Sequence, residues 1–236
     1  MVQINDKLDE FRAEIEGEIL WRQEEISYLK SFLQTTSKER DEYRIRKMLI
    51  VMLYSHFEGF IKFGLSNFLK KISDENFLIK NLNCEKLKAA ALNDIFYRYE
   101  NINSKPEIFF KKEYEPEIHL LARRVELLEN LSGYQESVAS FEKTVINTES
   151  NLSYKVLAKN LFKVGIDYGE FKEHEKFIKK LLVMRNSIAH GESKDMIIKE
   201  EDYIELEKKT IELMSKFSEL IYRKYEKLSS NSKKEK

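Results

Sequence analysis

Glycine and proline are scarce, 7 and 2 in 236 residues, where average usage of about 7% and 5% gives roughly 16 and 12. Sheets turn often and helical bundles seldom, so this shortage excludes a β-sandwich, a barrel and a doubly wound nucleotide fold. The single cysteine, Cys84, can close no internal disulfide and build no CxxC zinc knuckle, which suits a reducing compartment. No basic-then-apolar leader opens the chain, whose first residues alternate with acidic groups; a cytoplasmic protein is the expectation. An excess of one charge is missing as well. Lys+Arg and Asp+Glu both total 41, so any affinity for nucleic acid has to come from a local patch or a well-placed site.

Charge is abundant, at 35% of residues, and it accompanies long Leu, Lys, Glu and Ile runs that favour helix. Residues 5–34 place Leu8, Phe11, Ile15, Ile19, Ile26, Leu29 and Leu33 near a 3.6-residue period, predicting a long amphipathic N-terminal helix. Thr36 followed three positions later by Glu39 has the form of a capping box that opens a second helix to about residue 72. Between Met48 and Leu69 this second helix is apolar nearly all round, the pattern of a membrane span or of the central helix of a soluble bundle. His56, Glu58 and Lys62 favour the bundle, since each ionisable group at mid-membrane costs about 3 kcal/mol on insertion scales.

Further helices are predicted at about 85–99, from Pro116 to about 130, at about 152–164 and 171–190, and a long C-terminal one at about 200–228, with Pro106 marking a turn. With no long linker and no repeat, residues 1–228 read as one helical domain. The polar tail 229–236 reads as disordered.

Several familiar sites are absent. The sequence holds no GxxxxGK[ST] phosphate loop and no GxGxxG, HExxH or GxSxG motif, which removes the starting point for NTPase, dinucleotide, zincin and hydrolase readings. His56 and Glu58 form an HxE without the PCxxC a zinc deaminase requires. The histidines at 56, 119, 174 and 190 are too dispersed to define a metal site, so neither metal nor cofactor is expected.

What remains is LeuLeuValMetArgAsnSerIleAlaHisGlyGlu, 181–192. Arg185 and His190 frame an RxxxxH motif at the end of an apolar helix. On an ideal helix they stand about 140° apart, whereas Asn186 and His190 share one face. Gly191 is expected at C′, leaving His190 on the last turn, where the negative end of the helix dipole favours imidazolium. A histidine tuned toward neutrality near a permanent guanidinium suits acid–base chemistry on a phosphodiester. Structural roles are open to the same residues: Arg185 as partner of a carboxylate, His190 as a helix cap, Glu58 as the i,i+4 partner of Lys62, and His56 as a core histidine.

ArgAsnSerIleAlaHisGly resembles the signature of the HEPN superfamily, all-helical and mostly RNA-cleaving domains whose motif is RxxxxH. LeuTyrSerHisPheGluGlyPheIleLys, 53–62, is similar to the aromatic-Glu-Gly segment of the MAE-type branch, and AsnLeuSerTyrLysValLeu, 151–157, extends the likeness over roughly residues 40–195. This resemblance implies an HEPN-like helical bundle and a metal-independent endoribonuclease, active as a homodimer with two RxxxxH helices across one cleft. It implies that Arg185 stabilises the scissile phosphate, that His190 is general base or acid, that Asn186 holds its neighbours or the substrate backbone, and that Glu58 is the acidic group near the arginine. Products would be a 2′,3′-cyclic phosphate and a 5′-OH. It further implies a toxin–antitoxin or anti-phage effector acting on transfer or messenger RNA, with an antitoxin or defence-system protein as a further partner. The alternative it leaves is a catalytically silent HEPN-like module that binds nucleotides or protein and dimerises.

Overall fold

The computed structural model describes residues 2–36, 38–101, 116–192 and 194–231. Among them the fold is all-α, with eight α-helices, two 3₁₀ segments and no strand. The helices are α1 (Val2–Gln34), α2 (Glu39–Asp74), α3 (Glu85–Ala91), α4 (Asn93–Glu100), α5 (Pro116–Gln135), α6 (Tyr154–Lys163), α7 (Glu175–Ala189) and α8 (Glu200–Asn231). The chain falls into two compact units, and the crossings at Phe68–Leu69 and Phe162–Lys163 lie inside helices. The larger comprises Met1–Phe68, Ile146–Phe162 and Ile166–Lys236, and the smaller Leu69–Val145 with Lys163–Gly165.

In the larger unit α1 lies along α8, and α2 as far as Phe68 supplies nine buried apolar side chains. Leu49, Ile50, Leu53, Tyr54, Phe57, Phe60, Ile61, Leu65 and Phe68 are all buried. At about 100° per residue these positions fall within an arc of about 160°, so α2 turns one broad face to the core. The amphipathic period is hidden in the sequence by apolar residues on the other side, exposed Met48 and half-buried Val51 and Met52. By length and composition α2 is also apolar enough to cross a membrane, yet 56% of its most apolar 18-residue window is buried inside the protein. Aromatic contacts tie α2 and α1 to α8: Phe60 meets Phe217 edge-on with centroids 5.7 Å apart, and Phe11 lies 4.7 Å from Tyr225. A Cβ built at Gly64 would come within 2.6 Å of the Phe217 ring. Glycine in mid-helix, which costs about 1 kcal/mol relative to alanine, is therefore what this close approach requires.

Helix ends follow local chemistry with one correction. Thr36 does not open α2, because its hydroxyl donates back to the Phe32 carbonyl at 2.9 Å and so closes α1. The first turn of α2 instead carries Glu39, Asp41 and Glu42, which complement the positive end of its dipole. The final helix runs to Asn231, past the expected 228, and buries Ser229; the tail beyond it and the Pro106 turn lie outside the described residues.

The smaller unit holds α3, α4 and α5 with a 3₁₀ turn at Ile79–Asn81 and one antiparallel bridge, Leu78 to Val138. The helix expected over 85–99 breaks at Leu92, where φ is −93° and ψ 9°. Leu87 and Leu92 are both buried, but one straight helix would hold them about 140° apart. Breaking the helix lets both reach the core. Likewise the expected helix over 171–190 begins as a 3₁₀ segment, Tyr168–His174, before α7 takes over.

His56 lies inward from α2 and is buried. Its ring meets Trp21 of α1 edge-on at 5.3 Å, and Nε2 lies 3.0 Å from a Glu25 oxygen without the alignment for a hydrogen bond. Burial lowers its pKa; Glu25 opposes the shift and Arg22 adds to it. An unfolded chain with His56 near about 6.5 therefore takes up a proton that the folded state refuses, so stability is full above that pH and declines as pH falls toward the lowered folded value. Urea unfolding at a series of pH values below about 6.5 is expected to show a shallower loss of stability for His56→Gln than for the parent chain.

Candidate active site

Helix α7 enters the site through Ile178 and Leu181, both buried. It ends as a Schellman motif: Gly191, at φ +76°, donates to Ile188 at 3.2 Å, and Glu192 donates to Ser187 at 2.9 Å. Gly191 thus occupies the C′ position in the left-handed region that suits glycine, and His190 is the C-cap.

Arg185 sits one turn before this end, with its side chain only 20% exposed. The guanidinium carbon lies 4.3 Å above the Tyr54 ring. Nη1 donates to the Asn186 side-chain oxygen at 2.8 Å, Nη2 donates to the Ser150 carbonyl at 2.9 Å, and Nη2 is 3.6 Å from Glu58 Oε2. Glu58 takes this long-range partner and makes no ion pair with Lys62, its i,i+4 neighbour. An aromatic face, a carboxylate, an amide and a carbonyl thereby orient the planar fork, which still has donors left for an anion.

The Ser150 carbonyl reaches Arg185 because of a tight loop. Glu149 and Ser150 both adopt φ +54°, a left-handed conformation that costs a non-glycine residue about 1–2 kcal/mol. Asn160, fully buried on α6, holds the loop: its Oδ1 accepts from the Asn147 N–H at 3.1 Å, and its Nδ2 donates to the Asn147 carbonyl at 2.8 Å. Further on, the Leu152 N–H donates to the Tyr54 hydroxyl at 2.5 Å. Burial first, then the negative charge of Glu58, pushes the Tyr54 pKa up to about 12. Tyr54 therefore stays a neutral phenol that accepts from Leu152.

Arg185, Asn186 and Glu58 are thus brought together, while His190 is not joined to them by its side chain. The imidazole is exposed and makes no hydrogen bond or ion pair among the described residues; only its backbone N–H returns to Asn186, at 2.9 Å. Reasoning from the sequence passes over Tyr54, Ser150 and Asn160. Tyr54 was within reach, since it stands four residues before Glu58 and so on the same helix face. The other two act through a loop conformation that no spacing announces. Among the described residues no three His, Cys, Asp or Glu side chains gather to hold a metal ion.

This helical fold with a caged arginine and an exposed histidine five residues later defines an HEPN domain. A family model for the MAE_28990-like HEPN family matches residues 11–229, and the chain belongs to that family. Domains of this class are often ribonucleases or nucleotide binders. No curated protein and no solved structure matches the chain.

Tyr54→Phe removes the acceptor of the buried Leu152 N–H. The substitution is expected to destabilise the fold by about 1–3 kcal/mol. Amide exchange at Leu152 should accelerate more than exchange in α8, which separates local loosening from global loss.

Proposed function

We propose that the protein is a metal-independent endoribonuclease acting as a homodimer. The observation that carries this reading is the Arg185 guanidinium, held in a fixed orientation yet partly open, on the same helix as an exposed and unengaged His190. His190 takes the proton from a ribose 2′-OH, and the 2′-oxygen attacks the adjacent phosphorus. The bond from phosphorus to the 5′-oxygen breaks, and that oxygen receives a proton from the imidazolium of the partner's His190. Arg185 stabilises the charge gathering on the phosphoryl oxygens. Products are a 2′,3′-cyclic phosphate and a 5′-OH. Asn186 and Glu58 act as positioning residues that keep the guanidinium in place.

A dimer suits this chemistry because one helix sets the two side chains on different flanks, whereas two helices about a two-fold axis can gather four side chains in one cleft. Support comes from α7 itself, where Val183 is 54% exposed, Ala189 is exposed and Leu182 and Ile188 are only partly covered. Buried His56 offers its ring to no partner, so from the central helix the interface would draw on the neighbourhood of Glu58. The cellular role proposed is a toxin or anti-phage effector in the cytoplasm, acting on single-stranded or transfer RNA and restrained by an antitoxin or defence-system partner.

One observation favours the silent module: Glu58, Asn186 and Ser150 already engage Arg185, as they would a purely structural arginine. Cleavage assays separate the two. Arg185→Ala and His190→Ala should each reduce RNA cleavage by about a hundred- to ten-thousandfold while the helical circular dichroism persists, and cleavage by the parent chain should continue in EDTA. Activity unchanged in both variants, or lost in EDTA and restored by Mg²⁺, overturns the mechanism.

Ala189→Glu places a charge on the proposed α7 interface. Light scattering should show a smaller particle and the assay a parallel loss of cleavage. A parent chain that cleaves as a monomer removes the shared cleft.

A further inference from the structure

Helix α5 of the smaller unit carries polar groups on its inward side beside half-buried Leu127 and Leu131: Arg123 is 2% exposed and donates from Nε to the Tyr99 carbonyl at 3.1 Å, and Glu126 accepts from the Tyr99 hydroxyl at 3.1 Å. Its outer side carries Ile118, Leu121, Val125 and Leu128, exposed by 44%, 61%, 44% and 71%. At about 100° per residue these four fall within about 80° of one another and opposite Arg123. Scattered exposed leucines need no explanation, but a straight apolar stripe opposite a buried arginine marks a face made for a partner.

The spacing 3-4-3 is that of successive a and d positions in a heptad, with Ile118 and Val125 at a and Leu121 and Leu128 at d. β-branched residues at a with leucine at d favour a parallel two-stranded pairing. The flanking charges agree. Arg124 falls at g and Glu129 at the following e, the two positions that meet across a parallel dimer, and each is exposed with no ion pair or hydrogen bond among the described residues. Two copies would gain two Arg124–Glu129 pairs. An antiparallel pairing centred on the stripe would instead set Arg124 beside its own copy.

We infer that the α5 stripe is a docking surface for the α5 of a second copy of this chain, packed in parallel. Two heptads are too short to hold isolated peptides together. Here the smaller unit has already ordered the helix, so that cost does not fall on association. This contact is separate from the proposed α7 interface and does not depend on nuclease activity.

Sedimentation of the full chain over a concentration series tests it, with Ala189→Glu present throughout to remove any α7 contact. Leu121→Glu should weaken the remaining self-association by about a hundredfold. Arg124→Glu alone should weaken it by about tenfold, and adding Glu129→Arg should restore it. In a Cys84→Ser background, Leu128→Cys should oxidise to a covalent dimer, since parallel pairing sets position 128 beside its own copy. Self-association insensitive to Leu121→Glu, or none at all, overturns the inference, as does a double charge reversal without rescue. Failure of cleavage leaves these readouts unchanged.

Discussion

The apolar face of α2 between Leu49 and Phe68, about 160° wide, has to be covered, and the larger unit is arranged to do so. α1 and α8 lie along one another, and Phe60, Gly64 and Phe68 of α2 close on Phe217 and Tyr225. The polar groups carried by α2 inherit that burial. His56 becomes a core histidine under Trp21, and Arg46 is held by Glu42 at 2.8 Å and by the Ile198 carbonyl at 3.3 Å. Tyr54 and Glu58 lie on the face that meets α7 and the 147–152 loop, so core packing and the candidate site share one helix.

Arg185 shows how much of the site depends on that sharing. Its two hydrogen bonds and one ion pair come from three segments far apart in sequence. The Ser150 contact comes from a loop in which Glu149 and Ser150 are left-handed, the Glu149 N–H donates to the Asn147 side chain, and buried Asn160 grips the Asn147 backbone. Strain of this size persists where surrounding hydrogen bonds over-determine it. His190 is treated in the opposite way: the Schellman motif secures its backbone and leaves its ring in solvent. The proposed phosphodiester cleavage would use the two differently, the held cation for charge and the exposed imidazole for proton transfer.

The sequence by itself determined the helical class, the approximate extent of the long first, second and last helices, and the turn at Gly191, because periodicity and glycine chemistry act over a few residues. RxxxxH, and the SerHisPheGluGly segment likewise, are legible as strings for the same reason. Only the tertiary structure decided that Leu92 breaks a helix, that Thr36 closes α1 and does not open α2, and that two crossings between the compact units fall inside helices. It alone set Glu58 against Arg185 and not Lys62, and chose Tyr54 and the Ser150 carbonyl to complete the cage. The physical reason is range. Local propensity fixes dihedral angles one turn at a time, whereas the partner of a buried charge is selected by which segments the core brings within hydrogen-bond distance, and residues 54, 58, 150 and 185 become neighbours only when the apolar helix between them is covered.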